Sequence, residues 1–198
     1  MIEFIQYCSE KPYSRLKKEY DKAKLFKQDL IQAISISSYS KINNEVDVRF
    51  VNLKMIKGKE FIFFTNYNSK KSEDFKMHNQ IAASFLWPKT NTQIRMKATI
   101  KKVSSEFNQE YFLKRSKEKN ALAISSNQSQ VISSFEEVKT KFDQTLSSSD
   151  LEKCPTYWGG YSFIPFSFEF WKGHEYRLNK RDLYVLDDNV WKKSTLEP

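Results

Sequence analysis

Residues 158–181, WGGYSFIPFSFEFWKGHEYRLNKR, are the most aromatic part of the chain, hold three of its four glycines and end in two arginines spaced four apart, Arg177 and Arg181. Apolar residues alternate through the first half, the pattern of a strand. Gly159 and Gly160 allow a neighbouring group to approach the backbone closely, and Pro165, lacking an N–H, marks an edge or a bulge. A strand that brings a tryptophan and two guanidinium groups together suits a planar, anionic ligand, because arginine pairs with phosphate through two parallel hydrogen bonds and stacks on rings. A core strand followed by a solvated basic turn has the same composition, so this segment alone leaves both readings open.

Downstream, 182–186 and 190–193, joined by Asp187, Asp188 and Asn189, form a closing hairpin. Upstream, 92–103 is the cleanest strand: Ile94, Met96, Ala98 and Ile100 face one way, and Gln93, Arg95, Lys97, Thr99 and Lys101 the other. Such alternation gives one buried and one wet or ligand-facing side. Earlier strands are expected at 31–38, 46–56, 60–65 and 81–87, with Lys57-Gly58 turning the second into the third. A first helix is expected at 12–27, opened by Pro12. A short helix capped by Ser69 and helical segments at 106–115 and 118–126 follow. A helix behind the capping box Ser134/Glu137 carries Phe135, Val138, Phe142 and Leu146 on one face. Strands grouped with little β-α-β alternation argue for a mainly β, α+β fold: an antiparallel barrel with peripheral helices.

The chain of 198 residues is read as one domain, 1–198, with strands from 155 to 198 closing it. Net charge is +9, which favours an anionic partner. The basic residues are spread along the chain rather than clustered beside a nucleic-acid-reading motif, so nucleic acid is not the expected partner. Cys8 and Cys154 are isolated, which indicates neither a disulfide framework nor a zinc site. His78 and His174 lack metal-ligand spacing. The N-terminus has no signal-peptide pattern and no stretch has the length of a membrane span, so a cytoplasmic protein is expected. No glycine-rich phosphate loop and no nucleophile elbow are present.

A phosphorylated ligand would therefore be held by side chains. Arg49, Val51 and Leu53 share a strand face, with Lys54 on the other. An arginine on an apolar face needs a partner, since buried charge is costly. Lys70 and Lys71 begin a helix, where backbone N–H groups favour an anion. Tyr111 and Arg115 lie one helical turn apart and can reach one anion, and Lys119 continues their line.

Together RFVNLK (49–54), the segment ending in FFTNYNSKK at Lys71, the Gln93 strand, YFLKR (111–115), NQSQVIS (127–133) and WGG…EFWKGHEYRLNKR (158–181) resemble, in order and spacing, the pyridoxine/pyridoxamine 5′-phosphate oxidases. The resemblance runs from about Pro12 to Pro198 and implies the split β-barrel fold that binds FMN, as a homodimer with flavin sites at the interface. The FMN contacts it implies are Arg49, Phe50, Val51, Asn52, Leu53, Phe64, Thr65, Lys70, Lys71, Gln93, Gln128, Ser129, Trp171 and Arg181. Lys54, Tyr111, Arg115 and Lys119 would hold the substrate phosphate, with Arg177 and Asn179 at the substrate ring. The implied reaction oxidises a phosphorylated B6 vitamer, pyridoxine or pyridoxamine 5′-phosphate, at carbon 4′ by hydride transfer to the flavin, with dioxygen as the final acceptor and hydrogen peroxide as product. The chain departs from the family pattern at Lys119 (usually Ser), Asn179 (usually His), Lys70 (usually Arg), Phe64 (usually Tyr) and Asn52 (usually aliphatic). A flavin oxidase of the phenazine-biosynthesis type and a non-catalytic binder of FMN or B6 phosphate are the alternatives.

Overall fold

The computed structural model describes residues 1–198. Its elements run β1 (Glu3–Ile5), α1 (Lys11–Leu25), β2 (Ala33–Ser40), β3 (Glu45–Asn52), β4 (Met55–Lys57), β5 (Glu60–Asn66), α2 (Lys70–Met77), β6 (Gln80–Trp87), β7 (Thr92–Lys102), α3 (Ser105–Leu113), α4 (Lys117–Ser125), α5 (Phe135–Ser148), β8 (Trp158–Lys172), β9 (Lys180–Asp187) and β10 (Val190–Leu196). All ten strands join one sheet in the order β1-β4-β5-β8-β7-β6-β2-β3, and β9 pairs with both β8 and β10. The sheet curls into a split barrel, with the helices outside it. Pairing is antiparallel except between β1 and β4, a parallel contact that the sequence reading did not include.

β8 is the hub. Its first residues pair with β5, its last with β9, and Tyr161 to Lys172 with β7. Pro165 sits where β8 changes neighbours from β5 to β9, so its missing N–H leaves no ladder position unfilled. The register skips one residue there: Ala98 faces Pro165 and Lys97 faces Ser167, leaving Phe166 as a bulge.

The expected alternation in β7 holds, with Ile94, Met96, Ala98 and Ile100 all buried. They belong to an aromatic-rich core in which Phe61 stacks on Phe163 and Phe168 on Phe170. At Gly159 an added Cβ would lie 2.3 Å from both Asn108 Nδ2 and Tyr67 Oη. Neither can retreat easily, because Asn108 Nδ2 donates to Tyr67 Oη and Asn108 Oδ1 accepts from the Gly160 N–H. Gly159→Ala is therefore expected to cost about 2 kcal/mol, roughly 4–8 °C in the Tm of flavin-free protein. Thermal unfolding checks this.

Three local expectations need correction. The strand expected over 46–56 is interrupted: the Leu53 N–H still bonds to Gln32, continuing the β2–β3 register, but the Lys54 N–H changes partner to Ile62 of β5. Leu53 is fully buried, and Lys54, expected on the face opposite Arg49, lines the same cavity as Arg49. Ser69 precedes α2 but does not cap it with its side chain; its hydroxyl donates to the Asn66 carbonyl. Ser134 does cap α5, accepting from the Glu137 N–H, but Glu137 accepts from the Ser133 hydroxyl, so the reciprocal half of the capping box is missing. No residue of α5 is buried, and Phe135 is 65% exposed.

Candidate functional site

A cavity of about 440 Å³ opens beside β3, β5 and the start of α2, lined by Asp47, Arg49, Phe50, Val51, Asn52, Lys54, Phe64, Thr65, Lys70, Lys71, Gln128 and Ser129. Strand alternation brings Arg49 and Val51 inward, and the β5–α2 turn brings the two lysines to the helix N-terminus. Arg49 is anchored on three sides. It donates to Asp47 and to Ser38 Oγ, each at 2.7 Å, and lies 4.0 Å from buried Asp74. Ser38 in turn donates to Asp74 at 2.7 Å. This pairing is what makes an arginine tolerable on a half-buried face.

Lys71 is different. It is only 9% exposed, and its ammonium donates to Ser69 Oγ and Gln128 Oε1, both at 2.9 Å and both neutral. Burial, together with the nearby Arg49 charge, pushes its pKa down from 10.5 to about 8. Gln128 Oε1 also accepts from Thr65 Oγ1 at 2.8 Å, which ties the 126–134 loop to β5. Lys70 is exposed and pairs with Glu45 at 2.6 Å. Two lysines and an arginine beside a helix N-terminus have the charge and donors that a phosphate dianion such as the tail of FMN requires. The residues present fit that group.

Next to this cavity lies a second group of cations. Burial, with the Lys119 and Arg115 charges, lowers the pKa of Lys54. Burial likewise lowers that of Arg115. One terminal nitrogen of Arg115, Nη1, is buried without a partner, while Nη2 donates to the Lys119 carbonyl at 2.8 Å. None of the three cations has a carboxylate partner among the ion pairs of the structure, so an anion there would meet uncompensated charge. Phe64, on the cavity wall, stacks on Tyr111 with ring centroids 3.8 Å apart and planes 6° from parallel.

Gln93, Trp171 and Arg181 do not line this cavity. They form a row across three strands instead, Gln93 opposite Trp171 and Trp171 opposite Arg181. Glu169 accepts from Arg181 Nε at 2.8 Å. Gln93 borders a separate cavity of about 620 Å³ on the outer face of the sheet, with Ser35, Ser84, Arg95, Glu169 and Leu183. Leu53, placed by the resemblance among the flavin contacts, is a core residue whose side chain lines neither cavity.

Arg177 and Asn179 lie on the turn after β8. Arg177 adopts φ +60°, and its N–H donates to the His174 carbonyl at 3.0 Å. Asn179 Oδ1 accepts from the His174 N–H at 3.1 Å, so it ties the turn that carries Arg177. Sequence reasoning missed Asp47, Ser38 and Asp74. Asp47, two residues from Arg49 on one strand face, was the signal available; Ser38 and Asp74 come from distant segments.

Comparison with known proteins identifies the scaffold. The family described as Pyridoxamine 5′-phosphate oxidase matches residues 22–148. The Pyridoxine 5′-phosphate oxidase C-terminal dimerisation region matches residues 158–198. A pyridoxine/pyridoxamine 5′-phosphate oxidase of Leptospira biflexa is 40% identical over 84% of this chain and 79% of its own length. That of Aliarcobacter butzleri is 34% identical over 98% and 92% respectively. Among solved structures, PhzG of Burkholderia lata, in complex with tetrahydrophenazine-1-carboxylic acid, superposes with a TM-score of 0.88 at 22% identity, covering 95% of this chain and 93% of its own. A pyridoxamine 5′-phosphate oxidase-related, FMN binding protein of Nostoc punctiforme gives a TM-score of 0.79 at 13% identity, covering 96% and 99%. These last two share the fold. With both halves of the sequence matched and the cation-lined cavity in place, the chain belongs to the pyridoxine/pyridoxamine 5′-phosphate oxidase family of FMN-dependent oxidoreductases.

Proposed function

We propose that the protein oxidises pyridoxine 5′-phosphate or pyridoxamine 5′-phosphate to pyridoxal 5′-phosphate, with dioxygen as acceptor and hydrogen peroxide as product; the amine substrate also takes up water and releases ammonia. The observation that carries this reading is the carboxylate-free cluster of Lys54, Arg115 and Lys119 beside a cavity that already holds Arg49, Lys70 and Lys71. Two neighbouring anion receptors suit two phosphorylated rings, cofactor and substrate. When bound, FMN supplies the two-electron acceptor. The protein fixes each phosphate tail and thereby the register of the rings, which hydride transfer requires at near-contact distance. Lys54, Arg115 and Lys119 bind the substrate phosphate, Tyr111 stands beside them, and Arg177 reaches over the substrate ring from a turn held by Asn179.

In this reading the working unit is a homodimer. Gln93, Trp171 and Arg181 of one protomer complete the cavity built around Lys71 of its partner. The dimerisation description attached to residues 158–198 supports it. So do the exposed apolar side chains of β3, where Val46, Val48 and Phe50, the last at the cavity's edge, are 72%, 60% and 74% exposed. No helix is long and apolar enough to cross a membrane, and a cytoplasmic location accords with this reading.

Lys119 and Asn179 favour a second substrate class, a carboxylate-bearing ring system like the ligand held by PhzG. Three cations match a phosphate dianion better than a single carboxylate, which ranks this reading second. The deciding experiment is anaerobic titration of FMN-loaded protein with pyridoxine 5′-phosphate. Loss of flavin absorbance, restored with peroxide formation when air is admitted, is the expected result. Failure of both phosphorylated vitamers, with bleaching by another member of a substrate panel, would transfer the activity to the second class. Arg115→Lys, which keeps the charge but loses the planar fork, is expected to raise KM about tenfold with a smaller change in kcat. Steady-state peroxide release measures both.

A further inference from the structure

Arg115 is not held by an acid. Its guanidinium carbon lies 4.2 Å from the centre of the Trp158 ring and 5.6 Å from that of Phe112, and Nη2 donates to the Lys119 carbonyl. Trp158 is itself buried and closely packed. It is 6% exposed, pairs with Asn66 at the start of β8, and packs edge-on against Phe112 at 5.2 Å. Its ring is also nearly parallel to Phe64, at 5.2 Å and 11°, and Phe64 is stacked on Tyr111. Three rings from three elements, β8, β5 and α3, thus form one near-parallel stack. Arg115 and Tyr111 are each in contact with a ring of that set, and Phe64 forms part of the cavity wall.

We propose that Trp158 is a positioning residue for the ligand's phosphate. It supplies the flat surface that orients the Arg115 guanidinium, and through Phe64 it fixes the spacing between the Arg115 cluster and the neighbouring cavity. The physical reason is the missing carboxylate. An arginine oriented by an acid would have its charge neutralised before any ligand arrived, whereas an aromatic face orients the cation and leaves its charge available. The unpartnered Nη1 is the donor kept free by this arrangement. Trp158 does not line the cavity itself; it acts through Arg115. The inference rests on the proposed substrate reading, because it concerns the same phosphate receptor.

The test is a double-mutant cycle on FMN-loaded protein, with affinity for pyridoxal 5′-phosphate and for unphosphorylated pyridoxal measured by calorimetry. Trp158→Leu is expected to weaken pyridoxal 5′-phosphate about tenfold and pyridoxal little, and Trp158→Phe to recover most of the loss. In an Arg115→Ala background, Trp158→Leu is expected to have almost no further effect. Retained flavin and an unchanged circular dichroism spectrum establish that each variant is folded; if Trp158→Leu does not fold, Trp158→Phe and Trp158→Met carry the cycle. Equal losses for both ligands, or a full additional loss in the Arg115→Ala background, would assign Trp158 a merely structural role. A wild-type protein that binds pyridoxal 5′-phosphate no better than pyridoxal would instead overturn the substrate reading and, with it, the role given to Trp158.

Discussion

Lys71→Met is expected to weaken FMN binding by about a hundredfold, the loss that follows removal of a buried charge-assisted contact. The same change is expected to make the flavin-free protein more stable at neutral pH. Lys71 is buried among neutral partners and near Arg49, so its charged form is disfavoured in the folded chain, with the pKa lowered from 10.5 to about 8. Below pH 8 the lysine is charged in both folded and unfolded chains, and the whole penalty, at most about 3 kcal/mol, is present. Between pH 8 and 10.5 the folded chain gives up the proton first, so the penalty shrinks as pH rises. The stability gap between Lys71→Met and wild type should therefore be widest below pH 8 and close toward pH 10.5, as read by urea unfolding of flavin-free protein. FMN affinity of the wild type should fall over the same interval, because the phosphate needs the ammonium. A methionine variant that keeps wild-type FMN affinity would remove Lys71 from the cofactor site.

Mixed dimers give the second large effect. Lys71→Met and Arg181→Gln homodimers are each expected to purify with little flavin. In a dimer holding one protomer of each kind, a site made of Lys71 from one chain and Arg181 from the other takes both lesions once and neither once. One intact site per dimer is expected, near half the wild-type flavin content and with wild-type affinity. If both residues served a cavity within one chain, each site would carry one lesion and the mixed dimer would be as flavin-poor as its parents. Co-expression with two affinity tags, followed by flavin quantification, separates these outcomes. The basis is spatial: Arg181 is engaged with Glu169 and aligned with Trp171, outside the cavity that holds Lys71.

The β7 face, the β9–β10 hairpin and the cation pair at the start of α2 were readable, since each depends on neighbours in sequence. Asp188 and Asn189, both with positive φ, turn the chain where turn residues were expected. The break after Leu53 was not readable, because it is where the backbone changes partner from Gln32 to Ile62, remote segments with no local signature. Burial of Lys71 was hidden for the same reason. A lysine pair beside a turn has the composition of a solvated loop, and only the arrival of Gln128 and Ser69 covers one member of it. α5 shows the opposite limit. Its apolar stripe was legible, yet a stripe says only that a face favours cover and not which chain supplies it.

The place of β8 in the sheet has a consequence for synthesis on the ribosome. β5 and β7 meet only through this strand, which begins at Trp158. Until those residues leave the exit tunnel, the nascent chain holds two separate sheet fragments, each with a bare strand margin, β5 on one and β7 on the other. Closure is then a late event that joins distant segments, and late closure leaves such margins open to neighbouring chains at high expression. Lower temperature or slower translation should accordingly raise the yield of dispersed protein more than any change made to α1 or α5.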